Sequence, residues 1–290
     1  MTGALTAPGP DLLAAIVAAA RQVTADRERR CPAAVLRTQV ASATPRGARF
    51  VAALTAPGRV RVIAECKRRS PSCGILRAVY HPDRVAAGYE ANGAVAVSVL
   101  TEPTFFDGSL EHLRAVRATV DVPILRKDFI VTNYQLLEAV AAGADAVLLI
   151  VAALDDTALG ALLGEATALG LAALVEVHDE AELRRAVRVG ATIIGVNNRN
   201  LRTLAVDVNA SRSLIGQIPP GIVAVAESGL RTSADLVALG AAGYHAFLIG
   251  ETLITTPAPG RTLRRLLAGA GPVSGGAEGA MPLGADRDGS

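Results

Sequence analysis

Ala142-Gly143-Ala144-Asp145-Ala146-Val147-Leu148-Leu149-Ile150-Val151 carries the pattern on which the fold turns. A glycine closing an amphipathic stretch ends a helix in the left-handed conformation and lets the chain turn directly into a strand. The next residues here form an apolar run without alternation, as expected of a strand buried on both faces. The same unit recurs with Asn92-Gly93-Ala94 before a run at 95–100 and Leu169-Gly170-Leu171 before 173–177. It recurs again with Val189-Gly190-Ala191 before 192–196 and Leu239-Gly240 before 245–250. Two further runs, 123–126 and 222–226, lack the glycine but keep the rhythm, and Val62-Ile63-Ala64-Glu65-Cys66 opens the series. Strands alternating with helices predict parallel pairing through right-handed crossovers. Eight such units predict an α/β fold, a closed (β/α)8 TIM barrel. An open doubly wound sheet is the alternative, but no Gly-x-Gly-x-x-Gly comes after the first strand.

The segment 1–60 is expected to be an N-terminal helical extension of a barrel at 61–268. Asp11 can cap a helix running through Ala14, Ile16, Val17 and Ala20, and Cys31-Pro32 breaks it. A second helical segment near 48–54 then leads to the first strand. Beyond Ala268 the residues are Gly, Ala, Ser, Pro and Asp without apolar period, so 269–290 is expected to be a disordered tail. With 51% hydrophobic residues the chain can fill a large core, and with 3% aromatics that core is Ala, Val, Leu and Ile. A net charge of +2 and scattered arginines argue against nucleic acid as a partner. Cys31, Cys66 and Cys73 show no disulfide or zinc spacing, and the four histidines show no ligand pattern, so no metal is expected. The apolar stretch 12–20 is too short to span a bilayer and lacks a basic leader, which makes a soluble, cytoplasmic protein the expectation.

The first strand continues as Lys67-Arg68-Arg69-Ser70-Pro71-Ser72-Cys73-Gly74. Alternation puts Glu65 and Lys67 on one face and Ala64 and Cys66 on the other. The chain has two lysines, Lys67 and Lys127, among 29 Lys plus Arg, and both fall at strand ends. A titratable ammonium cannot be exchanged for a guanidinium without changing the chemistry, so the two lysines mark a site. In a barrel the chemistry sits at the carboxyl ends of the strands. Those ends hold Glu65 and Lys67, Thr101-Glu102, Lys127-Asp128, Glu176, Asn197-Asn198-Arg199, Glu227-Ser228-Gly229 and Gly250-Glu251. Charges of both signs in one ring suit acid–base work. Taken singly, Glu102, His178, Asp179 and Asp128 are expected to be solvated loop charges or caps, Asp179 an N-cap. Glycines after the seventh and eighth strands, Gly229 and Gly250, suit a phosphate held by backbone amides. Ser70 and a nearby arginine, Arg69 or Arg199, could add side-chain donors.

These residues carry a resemblance to the indole-3-glycerol-phosphate synthase family of tryptophan biosynthesis, over about residues 10–265. It rests on Ile63-Ala64-Glu65-Cys66-Lys67-Arg68-Arg69-Ser70-Pro71-Ser72, Ser98-Val99-Leu100-Thr101-Glu102-Pro103-Thr104-Phe105-Phe106 and Leu125-Arg126-Lys127-Asp128-Phe129-Ile130-Val131. Leu174-Val175-Glu176-Val177-His178, Ile194-Gly195-Val196-Asn197-Asn198-Arg199-Asn200-Leu201, Ala226-Glu227-Ser228-Gly229 and Phe247-Leu248-Ile249-Gly250-Glu251 complete it. The resemblance implies a carboxy-lyase without cofactor or metal. It would close the ring of a carboxyphenylamino-deoxyribulose phosphate to an indole, with loss of carbon dioxide and water. On the matching positions Lys127 is the general acid, its pKa expected to be lowered by burial and by Lys67, and Glu176 is the base for dehydration. Lys67 holds the substrate carboxylate and can donate a proton later. Glu65, Asn197, Glu227 and Ser228 orient these groups and the sugar hydroxyls. Ser70, Arg199, Gly229, Gly250 and Glu251 match the phosphate end. Phe106, Phe129, Leu148, Ile150, Leu201 and Leu204 match the wall for the anthranilate ring. The extension resembles the family's extra helix over the barrel mouth. A phosphorylated small molecule is the implied partner, with other tryptophan-pathway enzymes left open.

Asn200 stands where the family usually has aspartate, Cys73 where many members have lysine, and Val206-Asp207-Val208-Asn209 matches loosely. Two rival readings are a phosphoribosylanthranilate isomerase, for which Cys66 would have to be an acid–base group, and a non-catalytic or secondary-pathway paralogue binding an anthranilate-type phosphate. Alternation turns Cys66 away from the site, and a binder has no need of a positioned acid and base.

Overall fold

A computed structural model describes residues 11–271. Eight parallel strands close into a barrel: β1 Val62–Cys66, β2 Ala96–Leu100, β3 Ile124–Lys127, β4 Ala146–Ile150, β5 Ala172–Val177, β6 Ile193–Asn197, β7 Val223–Glu227 and β8 Ala246–Ile249. Closure is made where Val62 pairs with Phe247 on one side and Ile63 with Ala96 on the other. Strand bounds agree with the apolar runs to within a residue or so. The left-handed glycines expected at helix ends are found at Gly93, Gly143, Gly170 and Gly190. At the last of them the expectation fails: Gly240 lies inside the helix Ser233–Ala241, and Gly243 takes the left-handed turn.

The pleat divides the core as alternation requires. Ala64, Cys66, Val97, Val99, Val147 and Leu149 face outward to the ring of helices. Ile63, Ala96, Leu125, Leu148, Leu174, Val225 and Leu248 fill the interior. Small residues such as Ala96, Ala146 and Ala246 share the interior with the larger ones, so a core this poor in aromatics still packs closed.

Three helices precede the barrel: α1 Leu12–Arg30, α2 Ala33–Val40 and α3 Gly47–Thr55. Asp11 caps α1 by accepting from the Ala14 N–H. Helix α1 lies over the carboxyl end, where Ile16 reaches the central cavity. Helix α3 plugs the opposite end and sends Phe50 and Leu54 into the interior cluster. The Gly47 N–H donates to the Gly170 carbonyl at 3.1 Å, and a Cβ at 47 would come within 2.5 Å of that oxygen. The sequence reading missed α2. It offers just Leu36 and Val40 as buried apolar residues and packs on the helix Asn133–Ala142. The final helix runs Pro259–Ala270, past the expected start of the tail at 269, and the tail beyond Gly271 lies outside the described residues. No helix among the described residues is long and apolar enough to cross a membrane.

Behind β3 lies a charge cluster that sequence reasoning also missed. Arg126 is fully buried and donates to Asp128 Oδ2 at 2.9 Å, Glu138 Oε2 at 3.2 Å, Thr101 Oγ1 at 3.1 Å and the Gln135 carbonyl at 2.6 Å. Asp128 is therefore not a solvated loop charge; it is buried as the counter-charge of Arg126. Removing one member of such a pair leaves an uncompensated buried charge, at a cost of about 3–5 kcal/mol. Arg126→Met should accordingly lower Tm by roughly 10 °C in a domain of this size. A shift under about 3 °C in a thermal melt would show that the cluster contributes little.

Candidate active site

At the carboxyl ends of the strands one cavity is lined by Glu65, Lys67, Ser70, Phe106, Lys127, Phe129, Leu148, Ile150 and Glu176. Its lining continues through Arg199, Leu201, Leu204, Glu227, Ser228, Gly229, Gly250 and Glu251. Of the residues given a catalytic or binding role from sequence, Asn197 alone stands behind this surface, buried, with its Nδ2 donating to Glu176 Oε1 at 3.0 Å. Ile16, Arg231 and Thr252 also line the cavity and were not anticipated. They lie on the first helix or beyond the strand ends, away from the positions that side-chain alternation along a strand marks.

The two lysines meet opposite partners. Lys67 Nζ is 2.7 Å from Glu65 Oε1. Lys127 Nζ lies between Glu176 Oε2 at 2.7 Å and Glu227 Oε2 at 2.8 Å, so one ammonium joins β3, β5 and β7. This overturns the expectation that the Lys127 pKa is depressed. Burial does push the ammonium down, but Glu176, Glu227 and Glu65 outweigh it, and the net direction is upward. Glu227 is the group displaced toward neutrality. Burial pushes its carboxyl up to about 7, against the Lys127 ammonium and with Glu176 adding to the rise. Its Oε1 is buried with no hydrogen-bond partner among the described residues.

Two glycines make room for these carboxylates. A Cβ at Gly195 would lie 2.0 Å from Glu227 Oε1, and one at Gly250 would lie 2.3 Å from Glu65 Oε1. Gly250 thus serves Glu65 directly, a role the phosphate reading of this glycine did not foresee.

After β7, Ser228 (φ 65°) and Gly229 (φ 74°) are consecutive left-handed residues. That conformation costs the serine about 1–2 kcal/mol and points to a turn shaped for a ligand. The Ser228 carbonyl accepts from Asn198 Nδ2 at 3.0 Å, which holds the turn. Arg199 lines the cavity, whereas Arg69 is exposed on the short hairpin after β1. Arg199 Nη2 is 3.3 Å from Glu251 Oε2, and its Nη1 donates to the Leu204 carbonyl at 3.2 Å. Asn200 instead builds the adjoining turn, its Oδ1 accepting from the Arg202 and Thr203 N–H groups. Phe106 and Phe129, with ring centroids 6.0 Å apart and planes inclined at 35°, line the same cavity.

The remaining strand-end charges have structural roles. Glu102 is buried and caps the helical turn Pro103–Phe106, accepting from the Thr104, Phe105 and Phe106 N–H groups. Asp179 is the N-cap of the helix Glu180–Arg188, as expected. Cys66 faces the helices and burial pushes its thiol well up, which removes it as an acid–base group. No cluster of His, Cys, Asp and Glu suited to a metal is present among the described residues.

Comparison with known proteins agrees with this geometry. The family model described as Indole-3-glycerol phosphate synthase matches residues 13–266. The chain is 51% identical over 253 residues to Indole-3-glycerol phosphate synthase 1 of Streptomyces coelicolor, covering 87% of this chain and 93% of the relative. It is 48% identical over 256 residues to Indole-3-glycerol phosphate synthase 2 of the same organism, covering 88% and 98%. The enzyme of that name from a Parafrankia strain is 53% identical over 230 residues, covering 79% and 85%. Among solved structures, a thiamine phosphate pyrophosphorylase from Pyrococcus furiosus superposes with a TM-score of 0.55 at 14% identity, over 73% of this chain and 95% of that one. That likeness bears on the barrel alone. A match along nearly the whole barrel and relatives at about half identity place the chain in the indole-3-glycerol phosphate synthase family.

Proposed function

We propose that Lys127 and Glu176 divide the acid–base work of indole-3-glycerol phosphate formation, with Lys67 and Glu227 in support. The observation that carries this is the Lys127 ammonium held between the Glu176 and Glu227 carboxylates, facing a cavity with an aromatic wall. The substrate, 1-(2-carboxyphenylamino)-1-deoxyribulose 5-phosphate, lays its anthranilate ring against Phe106 and Phe129. The ring carbon bearing the carboxylate attacks the ribulose carbonyl, and Lys127 protonates the oxygen as negative charge builds on it. The carbon–carboxylate bond then breaks, carbon dioxide leaves, and its electron pair restores the aromatic ring. Glu176 removes a proton from the adjoining carbon, Lys67 protonates the hydroxyl, and water departs to give the indole. Before that step Lys67 holds the substrate carboxylate, with Glu65 fixing its position at 2.7 Å. Incubating the protein with this ribulose phosphate should produce indole absorbance and release carbon dioxide. Tight binding without either would favour the non-catalytic alternative. Three free cysteines suit a cytoplasmic place for the reaction.

The phosphate is assigned to Ser70, the amides of Gly229, Gly250 and Glu251, and Arg199. Because a Cβ at Gly250 collides with Glu65, Gly250→Ala should weaken phosphorylated and dephosphorylated product analogues alike and lower kcat. Ser70→Ala leaves Glu65 untouched. It should weaken the phosphorylated analogue by about tenfold, the worth of one charge-assisted hydrogen bond, and leave the dephosphorylated analogue unchanged. Calorimetric titration of both ligands checks this, and equal weakening by Ser70→Ala would move the phosphate elsewhere.

A further inference from the structure

We infer that His178 is a positioning residue for turnover, a clip that fixes Asn197 and, through it, the Glu176 carboxylate. The last main-chain pair between β5 and β6 is Val177 with Val196. One residue further on, where His178 faces Asn197 in the same register, an imidazole replaces the ladder. His178 Nδ1 lies 2.8 Å from the Asn197 carbonyl oxygen. The acceptor is a carbonyl, so Nδ1 carries the proton. The His178 main chain is tethered in turn, its N–H donating to Glu182 Oε2 at 2.8 Å.

On its other side β6 is held by main-chain pairing as far as Asn197 opposite Glu227. Beyond the Val177–Val196 pair, the end of β6 is therefore held by β7 through its backbone and by β5 through the His178 side chain. Asn197 Oδ1 accepts from the Arg199 N–H at 2.9 Å, which directs Nδ2 to Glu176 Oε1 at 3.0 Å. When Lys127 turns to the substrate, Glu176 gives up its partner at Oε2. Asn197 is then its remaining side-chain hold among the described residues. Any drift of the Asn197 backbone passes directly to the carboxylate that has to reach a carbon-bound proton. Misplacements near 1 Å can cost up to about 10²-fold in rate.

The test compares His178→Leu, which keeps bulk and loses the donor, with His178→Asn, whose amide N–H can replace Nδ1–H. Steady-state kinetics should show kcat down about tenfold in His178→Leu, with KM and the melting curve little changed. His178→Asn should recover most of that loss. In an Asn197→Ala background, His178→Leu should cost nothing further, because its route to Glu176 is gone. Equal losses in the Leu and Asn variants, a change confined to KM, or a full additional loss in the Asn197→Ala background would each overturn the clip. If His178→Leu does not fold, His178→Ala replaces it in both comparisons. The inference rests on the role proposed for Glu176, and Glu176→Gln assayed beside it separates the two. Full turnover in Glu176→Gln overturns that role, whereas an impaired Glu176→Gln beside an unimpaired His178→Leu overturns the clip alone.

Discussion

Lys127→Arg is expected to lose roughly 10²-fold or more of kcat, while a product analogue binds almost as before. In the free site the ammonium is firmly protonated, because Glu176, Glu227 and Glu65 outweigh its burial. Its acidity therefore has to be switched on by what binds. On the proposed mechanism, substrate draws Nζ away from the carboxylates, and the oxygen that becomes negative during ring closure offers the proton a better home. Glu227, whose carboxyl burial pushes upward, is the carboxylate most ready to take a proton, and doing so would remove one of the charges that hold Lys127. A guanidinium keeps the positive charge and so still draws the anionic ligand in, but it does not release its proton at any working pH. Nor can a planar fork reproduce one tetrahedral nitrogen bonded at 2.7 and 2.8 Å to carboxylates on two different strands. Turnover at saturating substrate, with ligand binding and thermal melting as controls, checks the prediction. Activity within about fivefold of the parent protein would make Lys127 an electrostatic anchor and not the proton donor.

Glu176→Gln should be as damaging by a different route. The substitution keeps shape and removes the proposed base, so ring closure and loss of carbon dioxide should proceed while dehydration stalls. The expected fall in kcat is roughly 10²- to 10⁴-fold. A decarboxylated, still hydrated intermediate should accumulate. Rapid-quench mass spectrometry would detect it as a species heavier than product by one water. Carbon dioxide release should show a burst of about one equivalent per site. If substrate alone persists and no carbon dioxide appears, Glu176 acts before or during closure, and the division of labour with Lys127 is reversed.

Much of this was legible in the chain because the barrel writes itself in short-range terms. Each strand buried on both faces is an unbroken apolar run, and most helix ends are marked by a glycine whose left-handed turn no larger residue makes cheaply. The charged side chains at the carboxyl ends then stand out against those runs, and two lysines in an arginine-rich chain point to the same place. What escaped depends on neighbours far apart in sequence. The sign of the Lys127 shift is set by carboxylates on β1, β5 and β7, and nothing near residue 127 announces them. Arg126 lies between two inward-facing positions, yet its guanidinium is buried because Asp128 and Glu138 face it from a loop and a helix. Gly195 looks like an ordinary small residue in a strand, and Gly250 like a glycine for a phosphate turn, until the glutamates they accommodate are placed. Helix α2 carries too few apolar positions for its period to show.

The pairing of Val62 with Phe247 has a consequence for how the protein is made. During synthesis the strand bearing Glu65 and Lys67 leaves the ribosome first among the eight, and the one that completes its surroundings leaves last. Through most of that interval a growing sheet offers two open edges of unpaired N–H and C=O groups and a half-formed greasy trough. Such edges invite pairing with other chains, and parallel contacts between distant segments form slowly. Helix α3 directly precedes β1, so Phe50 and Leu54 are already at hand when the trough begins to curl. A stopper encoded just ahead of the first strand can shelter the nascent interior in a way that the same helix, placed after the last strand, could not.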